Sequence, residues 1–165
     1  MDENAARCCL SLLLHHGLTR SEVSSLSVAD ILDRRATSRH LRVQGRNGEL
    51  RRIPLHQDTY WAVSDYLRSA GHPLDKSGPL FRPIRNNRTR VLDRPLSPDG
   101  IYRIVRRYLR ALDVSGGAQT LRATAQVGAL AHQPDLALIQ TRSGLPTIAS
   151  KDRYRLIGEP IATKL

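Results

Sequence analysis

Arginine is the residue type in this chain with the most evident chemistry, and its placement is uneven. Between Arg82 and Arg110 stand nine arginines, Arg82, Arg85, Arg88, Arg90, Arg94, Arg103, Arg106, Arg107 and Arg110, against Asp93 and Asp99, a net +7. A guanidinium is planar, always protonated at neutral pH, and pairs bidentately with phosphate or carboxylate oxygens. Over all 165 residues, 26 Lys and Arg oppose 15 Asp and Glu, giving a net charge of +11. Such a field attracts polyanions, and nucleic acid is the first partner it implies. Tyr154 lies in the charged run Lys151-Asp152-Arg153-Tyr154-Arg155, where a surface phenol needs no special role. The histidines, His15, His16, His40, His56, His72 and His132, show no zinc-like spacing, so no metal and no cofactor is expected from the sequence. Trp61 and five scattered tyrosines make no base-stacking platform.

The length suits one domain with one core. Cys8 and Cys9 are adjacent, and neighbouring side chains on a helix diverge by about 100°, so neither a routine disulfide nor a metal pair follows. They read as reduced core residues of an intracellular protein. The leucines near Leu10 to Leu14 are too few for a membrane span, and no export signal follows them.

These side chains need a scaffold, and its elements are legible. Asn4 to His16 reads as a buried helix stopped by Gly17. Thr19-Arg20-Ser21-Glu22 has the capping-box pattern and opens a second helix, with Val23 and Leu26 as its apolar face. Arg39 to Gln44 and Leu50 to Leu55 read as a hairpin around Gly45-Arg46-Asn47-Gly48. A helix over Asp58 to Ser69 and a punctuated loop up to Leu80-Phe81 follow. Ser97-Pro98-Asp99 starts a helix with Ile101, Ile104, Val105, Tyr108, Leu109 and Leu112 on one face and Arg103, Arg106, Arg107 and Arg110 largely on the other. Helices from about Thr120 to Ala131, Pro134 to Thr141 and Ile148 to Leu156 complete a mainly α domain with a small antiparallel sheet.

Five landmarks recur in a fixed order: Gly17-Leu18-Thr19-Arg20-Ser21-Glu22-Val23, Gly45-Arg46, Ile53-Pro54-Leu55, Gln119-Thr120-Leu121-Arg122 and Tyr154. Together, from about residue 3 to residue 156, they resemble the catalytic domain of the tyrosine recombinases, the phage integrase family that includes Xer-type enzymes. The resemblance implies the integrase catalytic-domain fold over residues 1–157 with a tail over 158–165, and a place in DNA recombination or integration, in a bacterial, phage or plasmid context. In that family a tyrosine attacks a DNA phosphodiester, arginines neutralise the phosphoryl oxygens and a lysine protonates the leaving oxygen.

Most positions that should carry this chemistry depart from the family pattern. Thr19 stands at the first arginine, Arg46 at the lysine, Gln119 at the histidine of His-x-Leu-Arg, and Leu145 at the histidine of Gly-His. Arg122 and Tyr154 match. The resemblance therefore makes Tyr154 and Arg122 the candidate catalytic residues, and Arg20, Arg46, Gln119, Arg122, Arg103, Arg106 and Arg107 the candidate DNA phosphate-binding ones. The expected function is binding of double-stranded DNA with strand cleavage lost or weak. The alternatives are an active recombinase with an atypical site, or an interaction module whose C-terminal segment docks a second copy or another recombinase.

Overall fold

The computed structural model describes residues 3–31, 39–45, 48–71, 77–83 and 93–132, with side chains up to Gly128. The expected helices over Pro134–Thr141 and Ile148–Leu156, the tail, and the residues Arg46, Leu145 and Tyr154 lie outside the described residues. The described chain is mainly helical with one two-stranded sheet, as the sequence implies.

The first helix, α1 (Glu3–His16), buries Ala5, Ala6, Cys8, Cys9, Leu12, Leu13 and His16. That three-and-four spacing makes one broad apolar stripe. α1 is the hub of the core, and the later helices gather on it. It ends where Gly17 takes φ +62° and its amide bonds to the Leu13 carbonyl at 3.1 Å. α2 (Arg20–Ser25) starts at once behind the Thr19 cap. One turn of 3-10 helix, Val28–Asp30, follows. Ser27 beside it forms a bridge to Pro79, and Leu80 N–H donates to the Leu26 carbonyl at 2.8 Å, so the 77–81 segment is laced to the chain after α2. That lacing buries Leu80 and Phe81.

The hairpin pairs β1 (His40–Gln44) with β2 (Leu50–Pro54) antiparallel, with Leu41 opposite Ile53 and Val43 opposite Arg51. Leu41, Val43 and Ile53 point into the core. Strand alternation then places Arg51 on the inner face with Ile53, while Arg52 is exposed. Gly48 at φ +78° closes the loop, its amide bonding to the Gly45 carbonyl at 3.1 Å.

α3 (Gln57–Ser69) packs along α1 through Thr59, Ala62, Val63, Tyr66 and Leu67. α4 (Pro98–Ala111) begins as its cap predicts, with Ser97 Oγ accepting the Gly100 N–H at 3.1 Å. Ile101, Ile104, Val105 and Leu109 are buried. Leu112 departs from the expected apolar face and is 68% exposed, because the helix ends one residue earlier and Asp113 turns into φ +55°. α5 (Ala118–His132) starts two residues before the expected Thr120 and packs on α1.

Gly17→Ala tests the hub's terminus. A Cβ there meets Ala125 Cβ at 3.6 Å, an ordinary contact, so the cost falls on the left-handed backbone. A loss of about 1–2 kcal/mol in urea unfolding is expected. Unchanged stability would mean that the turn does not depend on glycine.

Candidate phosphate-contacting site

A single carboxylate organises the site. Glu22, three residues past the Thr19 cap, turns its side chain back so that Oε2 accepts the Thr19 N–H at 2.7 Å and the Thr19 hydroxyl at 2.9 Å. Thr19 Oγ1 in return accepts the Glu22 N–H at 3.2 Å, completing the capping box. The other oxygen, Oε1, accepts Arg51 Nη1 at 2.6 Å. Arg122, on α5, brings its Nη1 to 3.9 Å from Oε2. The three side chains are mostly buried, at 10% exposure for Glu22, 9% for Arg51 and 16% for Arg122.

The local sequence accounts for each placement. Glu22 is fixed by the cap geometry, Arg51 by the pleat of β2 and Arg122 by its position about one turn into α5. Burial pushes the Glu22 carboxyl up, but the Arg51 hydrogen bond, the Thr19 amide, the Arg51 charge and the Thr19 hydroxyl outweigh it and hold the group below its ordinary value. The carboxylate therefore stays ionised at neutral pH. Two guanidiniums against one carboxylate leave the cluster with a net positive charge. A guanidinium pairs with carboxylate or phosphate oxygens alike, and in this cluster the Glu22 carboxylate takes that place.

Of the candidate residues, the structure brings Arg122 into this cluster and leaves Gln119 exposed at the start of α5. Thr19 is occupied as a cap. Arg20, the neighbour of the first-arginine position, projects toward α4, 3.6 Å from Asp99 and 5.3 Å from the centre of the Tyr102 ring. Arg103 and Arg107 are exposed on α4. Arg106 is half-buried and donates to the Gly116 carbonyl at 2.9 Å, fastening the turn between α4 and α5. Arg51 was missed by sequence reasoning. The alternation of β2, which puts it on the face of Ile53, is the signal that could have found it.

The chain matches the model of the phage integrase family over residues 2–157. The tyrosine recombinase XerC of Mesorhizobium japonicum is 31% identical over 147 residues, covering 88% of this chain and 44% of that protein. Among solved structures, the XerH site-specific recombinase bound to its palindromic difH substrate in a post-cleavage complex superposes with a TM-score of 0.73 at 17% identity, over 96% of this chain and 45% of that one. The XerA recombinase gives 0.67 at 19% identity, over 93% and 58%. The chain belongs to the phage integrase family of tyrosine recombinases and has the fold of their catalytic domain. It spans less than half the length of the XerC relative. Among the described residues, no helix is long and apolar enough to cross a membrane.

Glu22→Gln tests the anchor. Near neutrality it should lower unfolding free energy by about 3 kcal/mol, the low end for removing one partner of a buried pair. Because the folded carboxyl titrates below its ordinary value of 4.5, its contribution is complete above that value and is lost as pH falls through the folded pKa. The gap between wild type and Glu22→Gln should therefore close in acid. A gap independent of pH would show that the charge is not what matters.

Proposed function

We propose that this domain grips duplex DNA through its phosphates, with strand cleavage lost or greatly slowed. The observation that carries the reading is the convergence of Arg51 and Arg122 on Glu22. It sets the Arg122 guanidinium beside α2, where Thr19 supplies none. The family relationship and the difH complex of XerH support DNA as the polyanion. The exposed Arg103, Arg107 and Arg110 on α4 add a second cationic surface.

The energetics of the substitutions point to weak cleavage. Losing one preorganised phosphate donor costs about 2.7–4 kcal/mol, or 10²–10³ in rate. A missing general acid costs roughly 10²–10⁴ more where the effects are independent. Arg46 can clamp a phosphate but is a poor proton donor, since arginine does not lose its proton near neutrality. Arg51 offsets little of the first loss, because its Nη1 is spent on Glu22 and its Nη2 is sealed from solvent. Leu145 contributes no hydrogen bond in place of a histidine. Contacts of this kind bind without reading much sequence, so binding should be salt-dependent and only modestly selective.

The test pairs a gel shift on duplex DNA at several salt concentrations with a nicked suicide substrate. Arg122→Ala should weaken binding on all sequences alike and reduce the salt slope by about one. Wild type should form no covalent adduct. An adduct that disappears in Tyr154→Phe would establish an active recombinase instead, and no duplex binding at low salt would overturn the DNA reading.

A further inference from the structure

We infer that His15, His56 and Asp58 form a binding site for a divalent late transition-metal ion such as zinc, clipping the end of α1 to the start of α3. One ligand atom from each residue lies within 4.8 Å of the other two. His15 and His56 are far apart in sequence, and the α1 to α3 packing brings their rings to 4.3 Å between centroids. His56 Nδ1 and Asp58 Oδ2 are 3.7 Å apart. Three donors on one zinc at roughly 2.0–2.1 Å must stand about 3.4 Å from one another. The nearer pair almost meets that already, and the wider spacing closes by side-chain rotation at three exposed positions.

The surroundings orient the ligands as a metal centre requires. Thr59, fully buried, places its hydroxyl 3.0 Å from His15 Nδ1 and 3.1 Å from His16 Nε2. A hydroxyl has one proton to give, so it donates to one ring and accepts from the other. When it accepts from His15 Nδ1–H and donates to His16 Nε2, the His15 Nε2 lone pair is left for a metal. Fixing the tautomer through the second ring nitrogen is the usual support of a ligating histidine. His56 Nδ1 accepts the Asp58 N–H over a long 3.3 Å as the cap of α3, and an ion bound through this nitrogen would take over that lone pair.

The field also favours a cation. His15 lies in the last turn of α1, where the helix dipole places partial negative charge. Asp58, in the first turn of α3, supplies the carboxylate that offsets the positive end of that helix. Two imidazoles and one carboxylate are the donor set of borderline ions rather than of magnesium or calcium. None of these residues takes part in the DNA reading, and either proposal can fail alone.

The experiment is a zinc titration of the full chain, freed of any affinity tag, by calorimetry and by thermal unfolding. One ion per chain should bind, and the melting temperature should rise with zinc. His15→Ala and His56→Ala should each remove the saturable step and the rise, while His40→Ala, on β1, retains both. Thr59→Ser keeps the hydroxyl and should retain binding, whereas Thr59→Val should weaken it by about 10–100-fold. Melts without metal establish that each variant folds. Absence of a saturable step in wild type, or binding that survives the His15→Ala/His56→Ala double substitution, would overturn the assignment.

Discussion

Glu22 is one carboxylate asked to satisfy four partners that come from three elements. Its oxygens take the Thr19 amide, the Thr19 hydroxyl and the Arg51 guanidinium, with Arg122 3.9 Å from Oε2. Hydrogen bonds to a charged group contribute about 1.5–3 kcal/mol each, well above neutral ones. A buried ion without them would be strongly unfavourable. The start of α2, the inner face of β2 and the first turns of α5 are thus held to one another by a requirement of charge rather than by apolar contact alone. Apolar packing would tolerate small slips between these elements. A 2.6 Å bond to Arg51 does not.

This dependence explains which parts of the molecule were legible in the sequence. The capping box was readable because its partners are three residues apart and the geometry is closed locally. The Ser97-Pro98-Asp99 start and the buried set Ile101, Ile104, Val105 and Leu109 were readable for the same reason, since helix period and cap chemistry are local. Leu112 was not, because the same periodicity extends past the point where Asp113 turns the chain. Arg51 was hidden by a different cause. The sequence fixes which face of a strand it occupies, but not which buried carboxylate will face that strand. His15 and His56 likewise meet only because α1 and α3 pack together, so no spacing in the sequence could reveal them.

The arginines divide into two kinds once their partners are known, and their contributions to the field differ accordingly. Arg51 and Arg122 are buried around Glu22, and Arg106 is committed to the Gly116 carbonyl. Arg20 lies beside Asp99, and Arg82 lies 3.7 Å from Asp93. Arg103, Arg107 and Arg110 are exposed along α4. Exposed guanidiniums act at long range and are screened by salt, with a reach of about 10 Å at 0.1 M. The buried ones act at contact distance, where screening is weak and geometry is fixed.

In the proposed grip on DNA, that division separates affinity from register. A polyanion approaching the domain feels the exposed arginines first, and their flexible side chains accept many arrangements of charge. Arg122 accepts few, since it stands against an oxygen of the Glu22 carboxylate that Arg51 also holds. The structural cost of that rigidity is borne by the cap, because Thr19 spends its hydroxyl on Glu22. A guanidinium in place of Thr19 would add a donor for a phosphate, but it would also remove the cap that turns Glu22 toward its arginines. Thr19→Arg alone would therefore exchange one part of the site for another instead of completing it.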